Sequence, residues 1–116
     1  MKFKRGEDLK KIYVCSPCKE YMDTHGQTIS HQLNMARAKS YSYYVMQVKQ
    51  IPITPHLYFT QFLDDGITIE RAWGMMAGLE LLKECDELWV FGDYVSQGMA
   101  TEIEQAKINN ILIKYI

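Results

Sequence analysis

Apolar and polar positions along this chain switch between a period of two and a period of three to four. Lys11-Ile12-Tyr13-Val14-Cys15 is a run of β-forming residues closed by Ser16-Pro17, and it reads as a first strand. The polar stretch 18–27, which contains Gly26, reads as a loop. Between about residues 28 and 48, Ile29, Leu33, Ala36, Ser40, Tyr43, Tyr44 and Gln47 recur at helical steps and predict a helix with a moderately apolar face. Residues 51–56 read as a second strand, whose prolines cannot donate ladder hydrogen bonds and so favour an edge. Residues 57–66 read as a loop carrying Tyr58, Phe59 and Phe62, aromatics that either pack on the core or line a pocket. Thr68 suits the N-cap of a second helix, with Ile69, Ala72, Trp73, Met76, Leu79 and Leu82 as its core stripe. The very apolar residues 88–92 predict a buried strand. A third helix follows from Ser96 to about Asn109, where Asn109-Asn110 suits a left-handed C-cap. Residues 111–116 form the last strand.

The resulting order, β-α-β-α-β-α-β, predicts a parallel sheet covered on both faces. Right-handed crossovers with one reversal give a four-stranded sheet of order 2-1-3-4, an α/β, Rossmann/flavodoxin-like three-layer sandwich. Residues 1–10 read as a polar lead-in and 11–116 as a single domain. In such sheets ligands bind beyond the carboxyl ends of the strands, at the switch point between the first and third strands. The residues expected there are 13–19, His56 and 93–98.

Composition narrows the partners. A formal charge of −1 gives no electrostatic reason to expect nucleic acid or an anionic membrane. No apolar run reaches the roughly 20 residues a spanning helix needs, and the charged N-terminus lacks the apolar core of a signal peptide. Three cysteines, an odd count, argue against a secreted disulfide framework, so a cytoplasmic protein is expected.

The candidate chemistry lies in Ser96-Gln97-Gly98-Met99-Ala100-Thr101-Glu102. A glycine-containing turn into a helix offers free N–H groups and the positive end of the helix dipole to an anion. Glu102, one turn in, would stand at the rim of that site. Lys19, from the other side of the cleft, and Ser16 could help hold a phosphate with Ser96 and Gly98; Tyr13 could reach in with its hydroxyl. His56 and Asp93 also end strands, whereas Asp86, before a strand, reads as a turn residue. The plainer readings are a surface acid for Glu102, a cap and a turn for Ser96 and Gly98, and a core tyrosine for Tyr13.

Cys15-Ser16-Pro17-Cys18 has the spacing of a thioredoxin-type redox motif, but Val14 replaces the usual aromatic and no obvious helix follows. A zinc site would need a second tight ligand pair beyond His25 and His31. Met75 and Met76 read as helix core. Neither a metal nor a cofactor is expected.

The run 85–91, followed by Ser96-x-Gly98-x-x-x-Glu102-Ile103-x-x-Ala106, resembles the nucleoside 2-deoxyribosyltransferase superfamily. Over residues 11–116 the chain is more closely similar to a small branch of it found in bacteria and their phages. That branch is marked here by Cys15-Ser16-Pro17, residues 52–57, 62–65 and 78–82, and Cys85 to Gly92. The resemblance implies that Glu102 is a nucleophile toward the anomeric carbon of a deoxyribose, with Tyr13 supporting its carboxylate. It also implies that Ser96 and Gly98 hold a 5′-phosphate, and that Lys19 stands at a basic position. The ligand it implies is a nucleoside or nucleotide, and the assembly a homodimer or higher homo-oligomer.

The same enzymes carry an aspartate that helps protonate the leaving base eight residues before the position of Asp86. Here that position is Gly78, leaving Glu80, Asp93 or His56 as substitutes. The glycine-rich turn after their first strand is replaced by Ser16-Pro17-Cys18. Two functions follow: an N-glycosidase or deoxyribosyltransferase, or a module that binds or sequesters a nucleotide signal without turnover.

Overall fold

The computed structural model describes residues 9–116; most of the predicted lead-in, residues 1–8, lies outside the described residues. In chain order the elements are β1 (Lys11–Cys15), β2 (Tyr21–Met22), β3 (Thr28–Ile29), α1 (His31–Gln47) and β4 (Ile51–Ile53). They continue with α2 (Pro55–Phe59), α3 (Thr68–Lys83), β5 (Glu87–Val90), α4 (Gln97–Ile108) and β6 (Leu112–Tyr115). Strands β4-β1-β5-β6 form one parallel sheet, and β2 and β3 pair as a separate antiparallel hairpin. Counting only the strands of the main sheet, this is the expected order 2-1-3-4, in the expected α/β sandwich.

The central strand divides the core. Ile12 and Val14 are fully buried on one face with Val45, Trp89 and Phe91, against which Tyr41 of α1 packs. Tyr13 and Cys15, alternate residues of the same strand, are buried on the other face with Leu82, Leu88, Val90, Met99 and Ile103. Strand alternation therefore turns Tyr13 and Cys15 together toward α3 and α4. On the opposite face, in register with Ile12, Glu87 accepts hydrogen bonds from Trp89 Nε1 at 2.9 Å, Lys10 Nζ at 3.0 Å and Lys114 Nζ at 3.2 Å. Asp86 is the structural residue expected, its carboxylate accepting from the Lys11 N–H.

Several local expectations are corrected. Residues 18–27 are not only loop: they hold most of the β2–β3 hairpin, turned by Asp23, whose Oδ1 accepts from the N–H groups of His25 and Gln27, and by Gly26 at φ 79°. The second strand ends at Ile53, because Pro55 starts the short helix α2 where a strand and then a loop were predicted; proline is favoured at a helix start because it has no N–H to satisfy. Ile67, not Thr68, occupies the N-cap of α3. The buried stripe of α1 runs through Asn34, Ala38 and Val45, while Leu33, Tyr43 and Tyr44 are exposed. On α3 the buried positions are Gly78 and Leu82, and Ile69, Trp73 and Met76 of the predicted stripe face outward. Apolar residues sit on both sides of these helices, so periodicity alone could not choose the core side.

Candidate functional site

A cavity of about 360 Å³ opens beyond the carboxyl ends of β1 and β5. Of the residues singled out from sequence, Tyr13, Ser16, Lys19, His56, Ser96, Gly98 and Glu102 line it. Asp93 does not: it is exposed in the turn after β5, and the next residue, Tyr94, lines the cavity instead.

The α4 corner follows from its capping. Ser96, in extended conformation at the N-cap, accepts from the Met99 N–H through Oγ at 3.2 Å, and its own N–H is directed at the Met99 sulfur at 3.5 Å. The hydroxyl is thus committed to the helix as an acceptor and retains its proton to donate. The N–H groups of Gln97 and Gly98 belong to the first turn, which has no intrahelical acceptor. A β-carbon on Gly98 would come within 3.3 Å of the Met75 methyl group, so glycine keeps this corner open.

Glu102, the sixth residue of α4, projects into the cavity. Its Oε2 accepts a short hydrogen bond from the Tyr13 hydroxyl, and its Oε1 lies 3.4 Å from the Cys15 sulfur. Burial raises the Glu102 carboxyl to about 7, against the lowering effect of the two hydrogen bonds. Burial, and next the Glu102 charge, hold the Tyr13 hydroxyl well above its ordinary range, so it stays a donor. A carboxylate poised near neutrality, held at both oxygens and facing a cavity, can act as a nucleophile or a base.

The opposite wall carries His56, whose Nε2 is 3.3 Å from Ser16 Oγ. Burial first, and then the nearby His31, lower this imidazole to about 4, so at neutral pH it is uncharged and not a ready acid. Glu80, another predicted substitute for the acid, is exposed and paired with Lys83. The 18–20 segment that brings in Lys19 is tied to α1, where Asn34 Nδ2 donates to the Lys19 carbonyl at 2.8 Å and His31 Nδ1 to that of Cys18 at 2.8 Å.

Of the other lining residues, Phe59 is one of the aromatics for which a pocket was one of two readings, while Tyr21, Arg71 and Tyr94 carried no local signal in the sequence. Tyr21 of β2 and Tyr94 after β5 stack with ring centroids 3.9 Å apart and planes 4° apart, closing one lip of the cavity across 73 residues of chain. Phe59, Arg71 and Met75 line the α2–α3 side, Met75 only half buried rather than in the core as expected. Cys15 was legible in one respect, since it lies two residues after Tyr13 on the same strand.

All three thiols are shifted away from thiolate. Burial pushes Cys18 up to about 12, helped by the charges of Asp65 and Glu102, and it raises Cys15 further still. A redox motif needs the opposite shift in its attacking thiol. Among the described residues no three His, Cys, Asp or Glu side chains gather in a way that could hold a metal ion. Among them, too, no helix is long and apolar enough to cross a membrane.

The fold is similar to a solved 2-deoxyribosyltransferase from the psychrotolerant bacterium Bacillus psychrosaccharolyticus, with a TM-score of 0.62 and 17% identity over 90% of this chain and 70% of that one. That protein is described as a biocatalyst for the synthesis of antiviral and antitumoral nucleosides. No curated protein matches the chain. Residues 10–116 match the family described as Domain of unknown function (DUF7768), and the chain belongs to that family.

Proposed function

We propose that this protein binds a nucleoside or nucleoside monophosphate in the β1–β5 cavity and cleaves or exchanges its N-glycosidic bond, with Glu102 as nucleophile. The observation that carries this reading is the Glu102 carboxylate, facing a cavity of substrate size and held by Tyr13 beside the start of α4. A Glu102 oxygen attacks the anomeric carbon. The carbon–nitrogen bond breaks with its electron pair going to the base, which takes up a proton from solvent water as it leaves. Water, or a second base, then attacks the same carbon, gives up a proton and displaces the carboxylate. Splitting one hard displacement into two in this way is the logic of retaining glycosidases. A 5′-phosphate would be met by the first-turn N–H groups of α4, the Ser96 hydroxyl and Lys19. The reading places the protein in the cytoplasm, where nucleotide pools lie.

Incubation with a panel of deoxynucleosides and their monophosphates, followed by chromatography for free base, tests this. Base release that disappears in Glu102→Ala is the expected result, and no release from any member of the panel would sink it. One observation favours a second reading, binding without turnover. Position 78, where the resemblance places the leaving-group acid, is a glycine packed beneath Tyr13. Thermal stabilisation by nucleotides with no base release would support that alternative.

The same reading includes a homo-oligomer. Tyr58, Phe62, Ile69, Trp73 and Met76, on α2, α3 and the turn between them, are all more than half exposed. A partner subunit would cover this apolar surface, which backs the residues lining the cavity from α2 and α3.

A further inference from the structure

Tyr13 and Glu102 leave one half of the carboxylate to be explained. Oε2 is occupied by the Tyr13 hydroxyl, whereas Oε1 faces the Cys15 thiol at 3.4 Å. Cys15 is fully buried, so no water competes for that proton. Its other acceptor within reach, the Met99 carbonyl, is farther away at 3.9 Å. Strand alternation places Tyr13 and Cys15 on the same face of β1, and the pair meets the two oxygens of one carboxylate.

We propose that Cys15 is a positioning residue for Glu102, its S–H donating to Oε1 so that the carboxylate is held in one orientation and its ionised form is favoured. The inference rests on the reading of Glu102 as the working carboxylate. A thiol suits this role because it is a weak donor. It fixes the direction of the carboxylate without engaging the oxygen's electron density as strongly as a hydroxyl, and so spares its nucleophilicity. The titratable groups around Glu102 are Tyr13 and Cys15 from β1 and Cys18 just beyond it. Elsewhere on the cavity wall stand Lys19, Glu20, His56, Asp65, and from α3 Glu70 and Arg71, whereas Met75 and Gly78 of α3 and Ser96, Gly98 and Met99 at the start of α4 carry no charge.

The test uses the whole chain and does not depend on turnover. Protein labelled with carbon-13 at the glutamate carboxyls is titrated by NMR, with Glu102→Gln identifying the Glu102 signal. Cys15→Ala should move the Glu102 midpoint up from about 7 by about half to one unit, and Cys15→Ser, with a stronger donor, should move it down. Midpoints in both variants equal to the unsubstituted protein's, with unaltered circular dichroism, would overturn the proposal. Should either variant fail to fold, the infrared S–H stretch of the unsubstituted protein decides instead. The Cys15 band should shift on going to Glu102→Gln or on protonating Glu102, and an unmoved band overturns the proposal. A shifted titration without base release leaves Cys15 in its role while the glycosidase reading fails. Base release with an unshifted titration does the reverse.

Discussion

The Tyr13 hydroxyl that donates to Glu102 lies 3.1 Å from the point a β-carbon on residue 78 would occupy. Gly78 is therefore more than a missing acid. It is the space in which Tyr13 stands, and Pro55 closes the other side at 3.8 Å. Any side chain at 78 would press on the tyrosine hydroxyl that supports the carboxylate.

Gly78→Ala should separate stability from activity. Alanine gains about 0.5–1 kcal/mol over glycine within a helix, which offsets the tight contact, so the melting temperature should stay within about 5 °C. Tyr13 then has to give by a few tenths of an ångström, which should lower kcat, though by less than the roughly 100-fold that a full ångström of misplacement costs. Calorimetry and the base-release assay check this. Unchanged kcat would mean that Tyr13 does not need its present position.

Glu102 should make the protein less stable as the medium becomes more alkaline. Its folded value, about 7, lies above the ordinary carboxyl range, so the folded state holds the proton more tightly than the unfolded chain. The stability this lends is complete below the unfolded value near 4.5 and is lost as pH rises through 7. Glu102→Gln should thus raise stability at pH 8 by about 1–3 kcal/mol and change it little at pH 4.5. Denaturant melts at both values measure the difference, and equal effects at the two pH values would contradict it.

Turnover should follow the same ionisation in the opposite direction. Attack needs the carboxylate, so kcat/KM should rise about tenfold per pH unit below the midpoint and level off above about 7. A rate that is flat between pH 5 and 8 would remove Glu102 from the nucleophile's role.

Glu87 is the acid whose loss should hurt most. Burial alone would raise its carboxyl, but hydrogen bonds from Trp89, Lys10 and Lys114 outweigh that and hold it below its usual range. Its contribution is present above the unfolded carboxyl value and is lost as pH falls through the lower folded one. Glu87→Ala should cost about 2–4 kcal/mol, since it strands the buried indole N–H and leaves two half-exposed lysines facing each other. Urea melts at pH 7 test the magnitude, and a loss under about 0.5 kcal/mol would refute the clamp.

The apolar face on α2 and α3 should be covered in solution. Light scattering after gel filtration should give a mass at least double the 13.6 kDa of the chain, reduced to that of the single chain by Trp73→Glu with Met76→Glu. A monomer without substitution would rule out the homo-oligomer.

The order of strands and helices, the edge place of the proline-bearing strand and the buried character of β1 and β5 were legible in the sequence because they depend on local pattern. Continuous β-branched and aromatic runs bury on both sides, while turn residues mark where they end. The gathering of Tyr13, Ser16, Lys19, His56, Ser96, Gly98 and Glu102 at one end of the sheet was legible for the same reason, since a parallel sheet brings all its strand ends together. Tertiary structure alone decided which side of α1 and α3 is core, because both helices carry apolar residues all round and only the facing sheet selects among them. It likewise decided that Tyr21 meets Tyr94, that Asp93 is turned away, and that the Tyr13 hydroxyl fills the space beside Gly78. The sequence alone determines that a serine, a glycine and a glutamate open the helix after the third strand of the sheet. Only packing determines that the glutamate is held by two donors from one strand, because that depends on the distance between β1 and α4, which no local pattern encodes.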